Sequence, residues 1–531
     1  MGKYILKRLL HGAFAAICVV LIVMVLVYSL LDRSTILAGD PNYSKTQSNA
    51  RISYEMSRYE AYGYQDYVPY AEYIIELVRN GELADEDRSS VALLGRTAEK
   101  DSEKVAEYVK KFTEKYESQG YKVVRLDADA KKNGQVKDGG QAALYAVKDI
   151  PLFQRAWNYF SGMLFFDNIH YVPETTDIGE RKLTFTWYDP VYNPTGTEKV
   201  FSPAIIGNGT LHKYLLYIND KFPFVHQNFV TLNLGESFTV NRGIDVFTTM
   251  TDRQGSYVLK PMTYPDTGLT GESADNLHTA TYSEGSREIN AVYAERFSDD
   301  YTNVGTYKFG KSKLGFSFVI GIISTILAYF LGLPIGLLMA QSKGGIFDKL
   351  CTVYIIFIIA VPSLAYIFLF KSIGGSVFKL PTLFEVDSTN WLMYVLPIIS
   401  LSLPSIANLM KWMRRYMIDQ QNSDYVKFAR SGGLTEGEIF RKHIMKNAVI
   451  PITHGIPGSV IFAMTGAIIT ERVYSVPGAG NLLTQAINKY DNGVIVGVTL
   501  FYATLSVISI ILGDVLMAAV DPRISFTSKA R

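Results

Sequence analysis

Long apolar runs separated by polar segments form the main pattern along this 531-residue chain. A helix needs roughly 20 mostly apolar residues to cross a bilayer, and six stretches reach or approach that length. The predicted spans are about Leu9–Leu31, Leu314–Ala340, Leu350–Phe370, Trp391–Leu409, Ala448–Thr470 and Val494–Val520. So many runs in one chain predict an α-helical polytopic membrane protein rather than a large soluble protein with buried helices.

The first apolar run has two alternative interpretations. Lys3, Lys7 and Arg8 precede it, as basic residues precede the apolar core of a secretory signal. The run is longer than such a core, and no small-residue cleavage pattern follows it promptly. We therefore expect residues 1–32 to form a retained first transmembrane helix.

Residues 33–312 separate the first run from the second and have mixed polarity. This segment is long enough to fold around a core of its own. Asp101–Tyr116 has the apolar spacing of an amphipathic helix. The strand candidates are Tyr121–Leu126, Lys182–Tyr188 and Lys213–Ile218. The sequence predicts a mixed α/β extracytoplasmic domain at 33–312, followed by a five-helix core at 313–531.

The charge of the chain bears on its orientation more than on its partners. With 52 Lys and Arg against 50 Asp and Glu, the near-neutral balance is not that of a nucleic-acid binder. Basic residues accumulate in loop 411–447, where Lys411 to Lys446 contains eight Lys or Arg and four acids. Because basic loops tend to stay in the cytosol, we expect this loop and both termini on the cytosolic side.

Catalytic and metal-binding signatures are weak or missing in the sequence. Gly305–Ser312 fits the P-loop pattern, but it follows polar sequence and leads into an apolar run on the outer face, so we interpret it as a flexible linker. Both cysteines, Cys18 and Cys351, fall in predicted spans. The sequence has no His-Glu-x-x-His motif, paired-cysteine pattern or Gly-x-Ser-x-Gly elbow. We expect no catalytic, cofactor-binding or metal-binding residue.

Ionisable groups within apolar runs are costly and often functional. His454 lies in the fifth run beside Gly455 and Pro457, which favour a distorted helix that lines a cavity. Asp514 lies near the end of the last run, where it is expected to meet the cytosolic interface or a neighbouring helix. We take His454, Pro457 and, just beyond the fifth run, Glu471 as candidates for a translocation path.

The most informative segment lies inside loop 411–447. Asp424–Arg430 has helical spacing of apolar groups, Gly432 and Gly433 can break that helix, and Leu434–Phe440 can begin a second one. A basic helical pair between two membrane runs is suited to gripping another protein inside the cell.

This segment resembles the cytoplasmic loop of ABC-importer permeases. There, an alanine and a glycine four residues later mark the coupling helix that docks into an ATPase subunit, and Ala429 and Gly433 fill these places. The chain as a whole is similar to the first, or B-type, membrane subunit of oligopeptide and dipeptide importers, in the long-insert form of Gram-positive cocci. The matching motifs are Tyr4–Leu10, Ala38–Pro41, Asn233–Phe238, Gly243–Val246, Gly332–Gly336, Glu471–Leu483 and Asp521–Ile524.

The resemblance implies a fold, a location and partners. The fold is that of type I ABC importer permeases, with six transmembrane helices in a bacterial cytoplasmic membrane and alternating access to the two sides. The partners are a C-type permease subunit, two cytosolic ATPase subunits that bind ATP and Mg²⁺, and an extracytoplasmic peptide-binding protein. The residues placed at the ATPase are Tyr425, Ala429, Arg430, Gly433, Leu434 and Glu436. Lys427-Phe428-Ala429 departs from the Glu-Ala-Ala that importers in general carry there.

Alternatives to this function remain open at the sequence level. The same kind of permease imports dipeptides, nickel or glutathione. A membrane-anchored receptor or regulator can also present a large outer domain, although it would not need six spans. A membrane-bound enzyme would need a reactive cluster that the sequence does not show. The leading prediction is therefore an oligopeptide permease powered by separate ATPase subunits, and not an enzyme.

Overall fold

The fold is known from a computed structural model. It describes residues 2–520 apart from 31, 38–39, 132, 134, 167–181, 189–200, 209–213, 219–223, 228, 257–258, 264–269, 275–280, 283–301, 304–309 and 464–466. Most of the P-loop-like stretch and the predicted C-terminal motif Asp521–Ile524 lie outside the described residues. Ser312, at the end of that stretch, caps the following helix by accepting a hydrogen bond from the Gly315 N–H at 3.0 Å.

The chain begins with one long helix, α1, at Gly2–Leu30. Two short helices, α2 at Ser34–Leu37 and α3 at Pro41–Lys45, lead from it into the insertion. The uninterrupted 29-residue helix agrees with the prediction that the first apolar run is a membrane span.

The first part of the insertion is an α/β unit whose core combines aliphatic and aromatic side chains. Its elements are α4 (Ser48–Ala61), β1 (Gln65–Pro69), α5 (Tyr70–Arg79), α6 (Arg88–Ala92), α7 (Glu103–Ser118), β2 (Lys122–Leu126), β3 (Ala143–Asp149) and α8 (Leu152–Ser161). The strands form one antiparallel sheet in the order β1-β3-β2. Tyr70 and Tyr73 of α5 pack edge to face on Phe112 of α7, with ring centroids 5.6 and 5.3 Å away.

The second part of the insertion is built mainly from short antiparallel strands. They are β4 (Leu164–Phe166), β5 (Lys182–Thr186), β6 (Ala204–Asn208), β7 (Tyr214–Ile218), β8 (Val225–Gln227) and β9 (Val230–Leu232), then helix α9 (Val246–Thr251) and β10 (Leu259–Thr263), β11 (Thr270–Ala274), β12 (Thr281–Tyr282) and β13 (Thr302–Asn303). Strands β5 to β8 form one sheet in sequence order. The predicted helix and strands of the insertion are therefore confirmed within the described residues, and with them its mixed α/β class.

The remaining chain is helical. Its elements are α10 (Lys313–Gln341), α11 (Ile346–Ala360), α12 (Ser363–Ser376), α13 (Val395–Gln421), α14 (Asp424–Ser431), α15 (Glu436–Glu438), α16 (Met445–Thr453), α17 (Ile456–Phe462), α18 (Ile468–Tyr474), α19 (Ala479–Asn488) and α20 (Asn492–Val520). A π-helical turn at Ile439–Ile444 joins α15 to α16. Helices α10 and α13 pack along each other at the centre of this core, where Ala328, Ala407 and Met410 are buried.

Within the described part of the chain, four helices are long and apolar enough to cross a membrane: α1, α10, α13 with the turn before it, and α20. A fifth span is present if α11 and α12, which meet at 110°, count as one. The prediction of six continuous spans needs correction at two places. Pro362 bends the third span, because the residue before a proline avoids helical geometry and Val361 is extended.

The fifth predicted span is also not one helix. It is divided into α16 and α17, with His454 and Gly455 at the junction. Pro457 lies in the first turn of α17, where a missing N–H costs least, and so favours a new helix start at this point. The fourth predicted span is longer than expected, because its helix continues beyond Leu409 to Gln421.

The insertion is fixed to the N-terminal end of α20 through Asp491, which is fully buried. Its carboxylate accepts hydrogen bonds from the N–H groups of Phe238, Thr239 and Val240 at 3.0, 2.9 and 2.8 Å. The Ser237 hydroxyl donates a fourth bond at 2.8 Å. Four donors satisfy a buried carboxylate, so this contact joins the insertion and the helical core without an unpaired charge.

Two further contacts tie the α/β unit to the same place. Asn492 donates through Nδ2 to the Tyr64 hydroxyl at 2.5 Å. Tyr62 stacks on Phe238 with ring centroids 4.1 Å apart. The insertion is thus packed on the helical core at the N-terminal end of α20, and it is not a separate unit on a tether.

Candidate coupling segment and translocation cavity

The predicted coupling segment folds as a helix with a defined end. The backbone N–H of Gly433 donates to the Arg430 carbonyl at 3.1 Å, and that of Leu434 donates to the Ala429 carbonyl at 3.3 Å. Gly433 has a positive φ of 81°. This pair of hydrogen bonds is the Schellman motif, in which glycine supplies the left-handed residue that closes the helix.

One face of this segment is packed into the protein. Val426 is buried together with Ile439, Ile444 and Met417. Tyr425, Ala429 and Leu434 pack against the same cluster and are partly buried. The cluster also contains Met413 of α13 and Ala448 of α16. A displacement of α14 would therefore act directly on both helices.

Phe428 lies outside this packed face, and its side chain is 77% exposed. Sequence reasoning did not choose this residue as a site residue. The signal was present, because Phe428 lies about 100° around the helix from the buried face formed by Tyr425, Val426 and Ala429. Phe428 is therefore an exposed apolar side chain that is available for contact with another protein.

Charged groups brace the turn between α14 and α15. Arg430 and Glu436 form a bidentate ion pair, with hydrogen bonds of 2.5 and 3.0 Å. The bonded guanidinium lowers the pKa of Glu436. Thr435 and Glu438 form a capping box at the start of α15, and the Thr435 N–H lowers the pKa of Glu438. The ion pair and the capping box thus join the end of α14 to the start of α15 in one helical hairpin.

All six residues chosen for coupling lie in this hairpin. Arg430 and Glu436 contact each other, whereas Tyr425, Ala429 and Leu434 face the packed side and Gly433 closes the helix. Their part in docking to an ATPase stays a prediction. The structure also places Lys427 beside Asp424 at 2.9 Å, on exposed surface.

A cavity of about 460 Å³ lies between α10, α13 and the α16–α18 segment. Hydroxyl and amide groups from helices far apart in sequence line it. They include Ser317, Ser324, Thr325, Ser405, Asn408 and Ser459. Such a wall can hydrogen-bond the amide and hydroxyl groups of a solute without requiring a particular charge.

The inner part of the cavity wall includes two aromatic residues, Trp412 and Tyr416, whose rings stack with centroids 5.6 Å apart. They follow Asn408 on α13 at intervals of four residues, which places all three on one helix face. Sequence reasoning missed this stripe, although its spacing was visible.

Glu471 also lines the cavity and is 1% exposed. The Ser317 hydroxyl donates to its Oε1 at 2.7 Å, and the N–H groups of Ala467 and Asn481 donate at 3.2 and 2.9 Å. A Cβ on Gly478 would lie 2.4 Å from this carboxylate, so only glycine fits there. Among the described residues that line the cavity, Glu471 is the one acidic or basic side chain.

The other two candidates for the translocation path have different surroundings. His454 and Pro457 are not among the described lining residues, although Pro451 and Gly455 nearby are. His454 Nε2 lies 3.4 Å from Asp514 Oδ1 on α20, and the Tyr4 hydroxyl donates to Asp514 Oδ2 at 2.9 Å. The structure thus brings His454 into contact with Asp514 of α20, which also contacts Tyr4 of α1.

Comparison with known proteins decides the family. Over 538 aligned residues the chain is 34% identical to the oligopeptide transport system permease protein AmiC of Streptococcus pneumoniae, with 100% of this chain and 99% of the relative covered. The chain belongs to the permease subunits of ABC peptide transport systems. Residues 332–526 match the family of binding-protein-dependent transport system inner membrane components.

Other relatives cover part of the chain. The dipeptide transport system permease protein DppB of Lactococcus lactis is 30% identical over 227 residues, covering 42% of this chain and 73% of the relative. A solved structure of the MetNI methionine ABC transporter in inward-facing conformations matches with a TM-score of 0.31 and 14% identity, over 39% of this chain and 94% of that chain.

Membership of the permease family confirms several predictions. The protein is a multi-pass membrane protein with the type I ABC permease fold, and it works with other transporter subunits. Permeases are transport subunits and not enzymes, which decides against the enzyme and receptor alternatives. Within the described residues, no group of three or more His, Cys, Asp or Glu side chains is arranged to hold a metal ion.

Proposed function

We propose that this chain is the B-type membrane subunit of a bacterial oligopeptide importer. The observation that supports oligopeptides over dipeptides is the extent of the similarity. The relative named for oligopeptide transport aligns with all of this chain, insertion included, whereas the lactococcal dipeptide permease aligns with 42% of it. Nickel and glutathione have no comparable support among these relatives.

We propose that the coupling hairpin and both termini face the cytosol. The hairpin lies in the most basic loop of the chain, with eight Lys or Arg against four acids between Lys411 and Lys446. Basic loops of short length are retained on the cytosolic side of the membrane. The insertion then lies outside the cell, where a peptide-binding protein would deliver its cargo.

Energy would enter through the coupling hairpin. Two cytosolic ATPase subunits would bind ATP and Mg²⁺ and would close against each other around the bound nucleotide. One of these subunits would receive Phe428 in an apolar pocket. Because Val426 is buried against Ile439 and Met417, the hairpin would move with the ends of α13 and α16. Packed helices change between discrete arrangements, so this movement would switch the access of the cavity from one side to the other.

The cavity between α10 and α13 would form part of the translocation path. A C-type permease subunit would supply the facing wall of this path. The neutral hydrogen-bonding groups of Ser405 and Asn408 suit contact with a peptide backbone. Glu471 and the loop that it holds would form part of the outer closure. Transport of this kind needs no covalent step.

The decisive experiment concerns the exposed aromatic residue of the hairpin. Phe428→Ser should leave the chain folded, because the side chain is 77% exposed. It should weaken ATPase binding by about 2 kcal/mol, roughly thirtyfold, if Phe428 fills a pocket in the partner. The measurements are the amount of ATPase that copurifies with the tagged chain and peptide-stimulated ATP hydrolysis in proteoliposomes.

Lys427→Ser is the matched control, since Lys427 is the exposed neighbour of Phe428 and pairs only with Asp424 among the ion pairs of the described chain. It should keep the ATPases bound, because exposed ion pairs contribute little. Full copurification and normal peptide stimulation in Phe428→Ser would contradict the proposed docking site. Identification of the ligand bound to the intact complex would test the oligopeptide substrate separately.

A further inference from the structure

Helix α8 of the insertion has one buried face and one exposed face of unusual composition. Ala156 and Arg155 are buried, whereas Phe153 and Trp157, one turn apart, are 82% and 64% exposed. Phe166 on the following strand β4 is also largely exposed. Two large rings on the same side of a ten-residue helix form an apolar ridge.

The exposed residues of α8 include no charged side chain. The other exposed residues of α8 are Gln154, Asn158 and Ser161, and Gln154 donates to Asn158 at 2.9 Å. Arg155 is the one ionic residue of the helix, and it points inward. Its Nη2 donates to the Tyr64 carbonyl at 3.0 Å, and its guanidinium stacks on the Tyr64 ring. An aromatic and amide surface of this kind fits the headgroup level of a bilayer, where Trp is enriched.

The position of α8 is set by its contacts with the membrane helix α1. The Arg155 guanidinium lies 4.7 Å from the ring centre of Tyr28, in the last turns of α1. Ala156 belongs to the same buried cluster as Val20 and Met24 of α1. Helix α8 therefore packs against α1 near the C-terminal end of that helix.

The exposed surface of α1 continues to this level. Val25 and Leu26, within one turn of Tyr28, are about half exposed, as lipid-facing residues are in the isolated chain. The ridge of Phe153 and Trp157 is therefore carried by a helix that packs on α1 near these exposed apolar side chains. This proximity to a membrane span favours lipid over a protein partner as the occupant.

We propose that α8 is an interfacial helix whose Phe153 and Trp157 side chains insert among the headgroups of the outer leaflet. The polar Gln154, Asn158 and Ser161 then lie at the same level, where water and headgroup oxygens satisfy them. The Arg155 contact with Tyr28 and Tyr64 fixes the roll angle of the helix. The insertion is thereby attached to the bilayer beside α1 as well as to α20, which keeps its outer surface at a fixed height above the cavity.

Tryptophan fluorescence of the full-length chain in nanodiscs tests this proposal. Trp187→Phe, Trp391→Phe and Trp412→Phe leave Trp157 as the one tryptophan of the four in the sequence. Phosphatidylcholine brominated near the headgroup end of its chains should quench roughly half of the Trp157 emission, because interfacial helices lie at that depth. Aqueous iodide should quench it weakly.

The control is a chain with all four tryptophans replaced by Phe and with Leu93→Trp. Leu93 is 78% exposed in the same α/β unit and follows α6, which packs on α5 and α7 and not on α1. Aqueous iodide should strongly quench the fluorescence of the tryptophan introduced at this position. Equal iodide quenching of Trp157 and no effect of brominated lipid would overturn the proposal. Iodide quenching of Trp157 that disappears only when a peptide-binding protein is added would assign the ridge to that protein instead.

Hydroxyl-radical labelling of the unaltered chain gives a second measurement that does not depend on the folding of a variant. In nanodiscs, Phe153 and Trp157 should be oxidised several-fold more slowly than in detergent-free, lipid-poor amphipol, because lipid excludes the radical. Leu93 should be oxidised equally in both. Equal oxidation of Phe153 and Trp157 in the two preparations would contradict insertion into the bilayer.

Discussion

Ser317 and Glu471 are joined by a hydrogen bond of 2.7 Å in which the serine hydroxyl donates to the carboxylate. Ser317 lies in the first turns of α10 and Glu471 lies in α18, so the bond closes the outer end of the cavity. The same serine oxygen accepts from the Ala479 N–H at 2.8 Å. Loop 475–478 is thus held between two helices by one carboxylate and one hydroxyl.

Glu471→Ala should destabilise the protein and reduce peptide uptake. The substitution leaves the Ser317 hydroxyl and the Asn481 N–H without their acceptor in a buried place, which costs roughly 1–3 kcal/mol. The measurements are the melting temperature of the purified chain and uptake of labelled peptide by cells that depend on this subunit.

Glu385→Ala is the matched control, because Glu385 is an exposed glutamate of the preceding outer loop. It should leave both quantities unchanged. A Glu471→Ala protein with normal melting temperature would show that the buried hydrogen bonds do not hold the loop. Normal melting with lost uptake would assign Glu471 to transport itself.

The local parts of the site were predictable from the sequence. Asp424–Arg430 showed helical spacing, and Gly433 stood where the helix had to end, so the hairpin could be inferred from neighbouring residues. The cavity could not, because Ser317, Asn408 and Ser459 lie on three helices that only the tertiary packing brings together. Phe428 was visible as an apolar residue outside the buried face but was not recognised.

The shape of the membrane core was predictable only in part. Apolar length identifies a span but does not show where it bends. The bend between α11 and α12 depends on Val361 and Pro362, and a local rule for the residue before proline could have located it. The division of α16 from α17 at His454 and Gly455 was anticipated as a distorted helix, but the partner of His454, Asp514, lies in another helix.

Gly433→Val should uncouple or detach the ATPase subunits. Gly433 has a φ of 81°, and a β-branched residue in this conformation costs about 1–2 kcal/mol, so the Schellman end of α14 should open. No atom lies within 4 Å of a Cβ at this position, so the cost is one of backbone conformation and not of collision. ATPase copurification and peptide-stimulated ATP hydrolysis measure the effect.

The same substitution four residues later provides the control. Gly437 lies in α15 with negative φ and nothing within 4 Å of an added Cβ. Gly437→Val should therefore be tolerated, since valine has a better helix propensity than glycine. If Gly433→Val and Gly437→Val behave alike, the left-handed turn is not what holds the coupling hairpin.

Acid should weaken the link between the end of α1 and the insertion through Asp40. Burial tends to raise the pKa of Asp40, but hydrogen bonds from Tyr54 and Asn42 and the Arg242 guanidinium outweigh it and hold the pKa below its ordinary value. A depressed pKa gives stability that is present above the unfolded pKa of about 4 and is lost as pH falls through the folded value. The difference in melting temperature between wild type and Asp40→Asn should be constant near neutral pH and should disappear in acid.

Asp149→Asn is the control for this titration. Asp149 pairs with Arg33 at 2.6 Å, but both side chains are exposed, at 69% and 37%, so the pair is screened by solvent. Its effect on the melting temperature should be small throughout the range from about pH 7 to about pH 3. If the difference in melting temperature between wild type and Asp40→Asn grows in acid, the pH dependence has the opposite sign. That result would refute the stabilising role of the Asp40 carboxylate.

The orientation of the chain can be tested at two matched serines. Ser90 in the insertion and Ser431 in the coupling hairpin are both exposed, and each hydroxyl donates to a backbone carbonyl within one turn, at 2.7 and 2.9 Å. In a background without Cys18 and Cys351, we expect Ser90→Cys to react with a membrane-impermeant thiol reagent on intact cells. Ser431→Cys should react only after the cells are permeabilised, because the basic hairpin is cytosolic. Since both positions are equally accessible in the fold, the reverse pattern would have no explanation except an inverted topology, with the hairpin outside and out of reach of any ATPase.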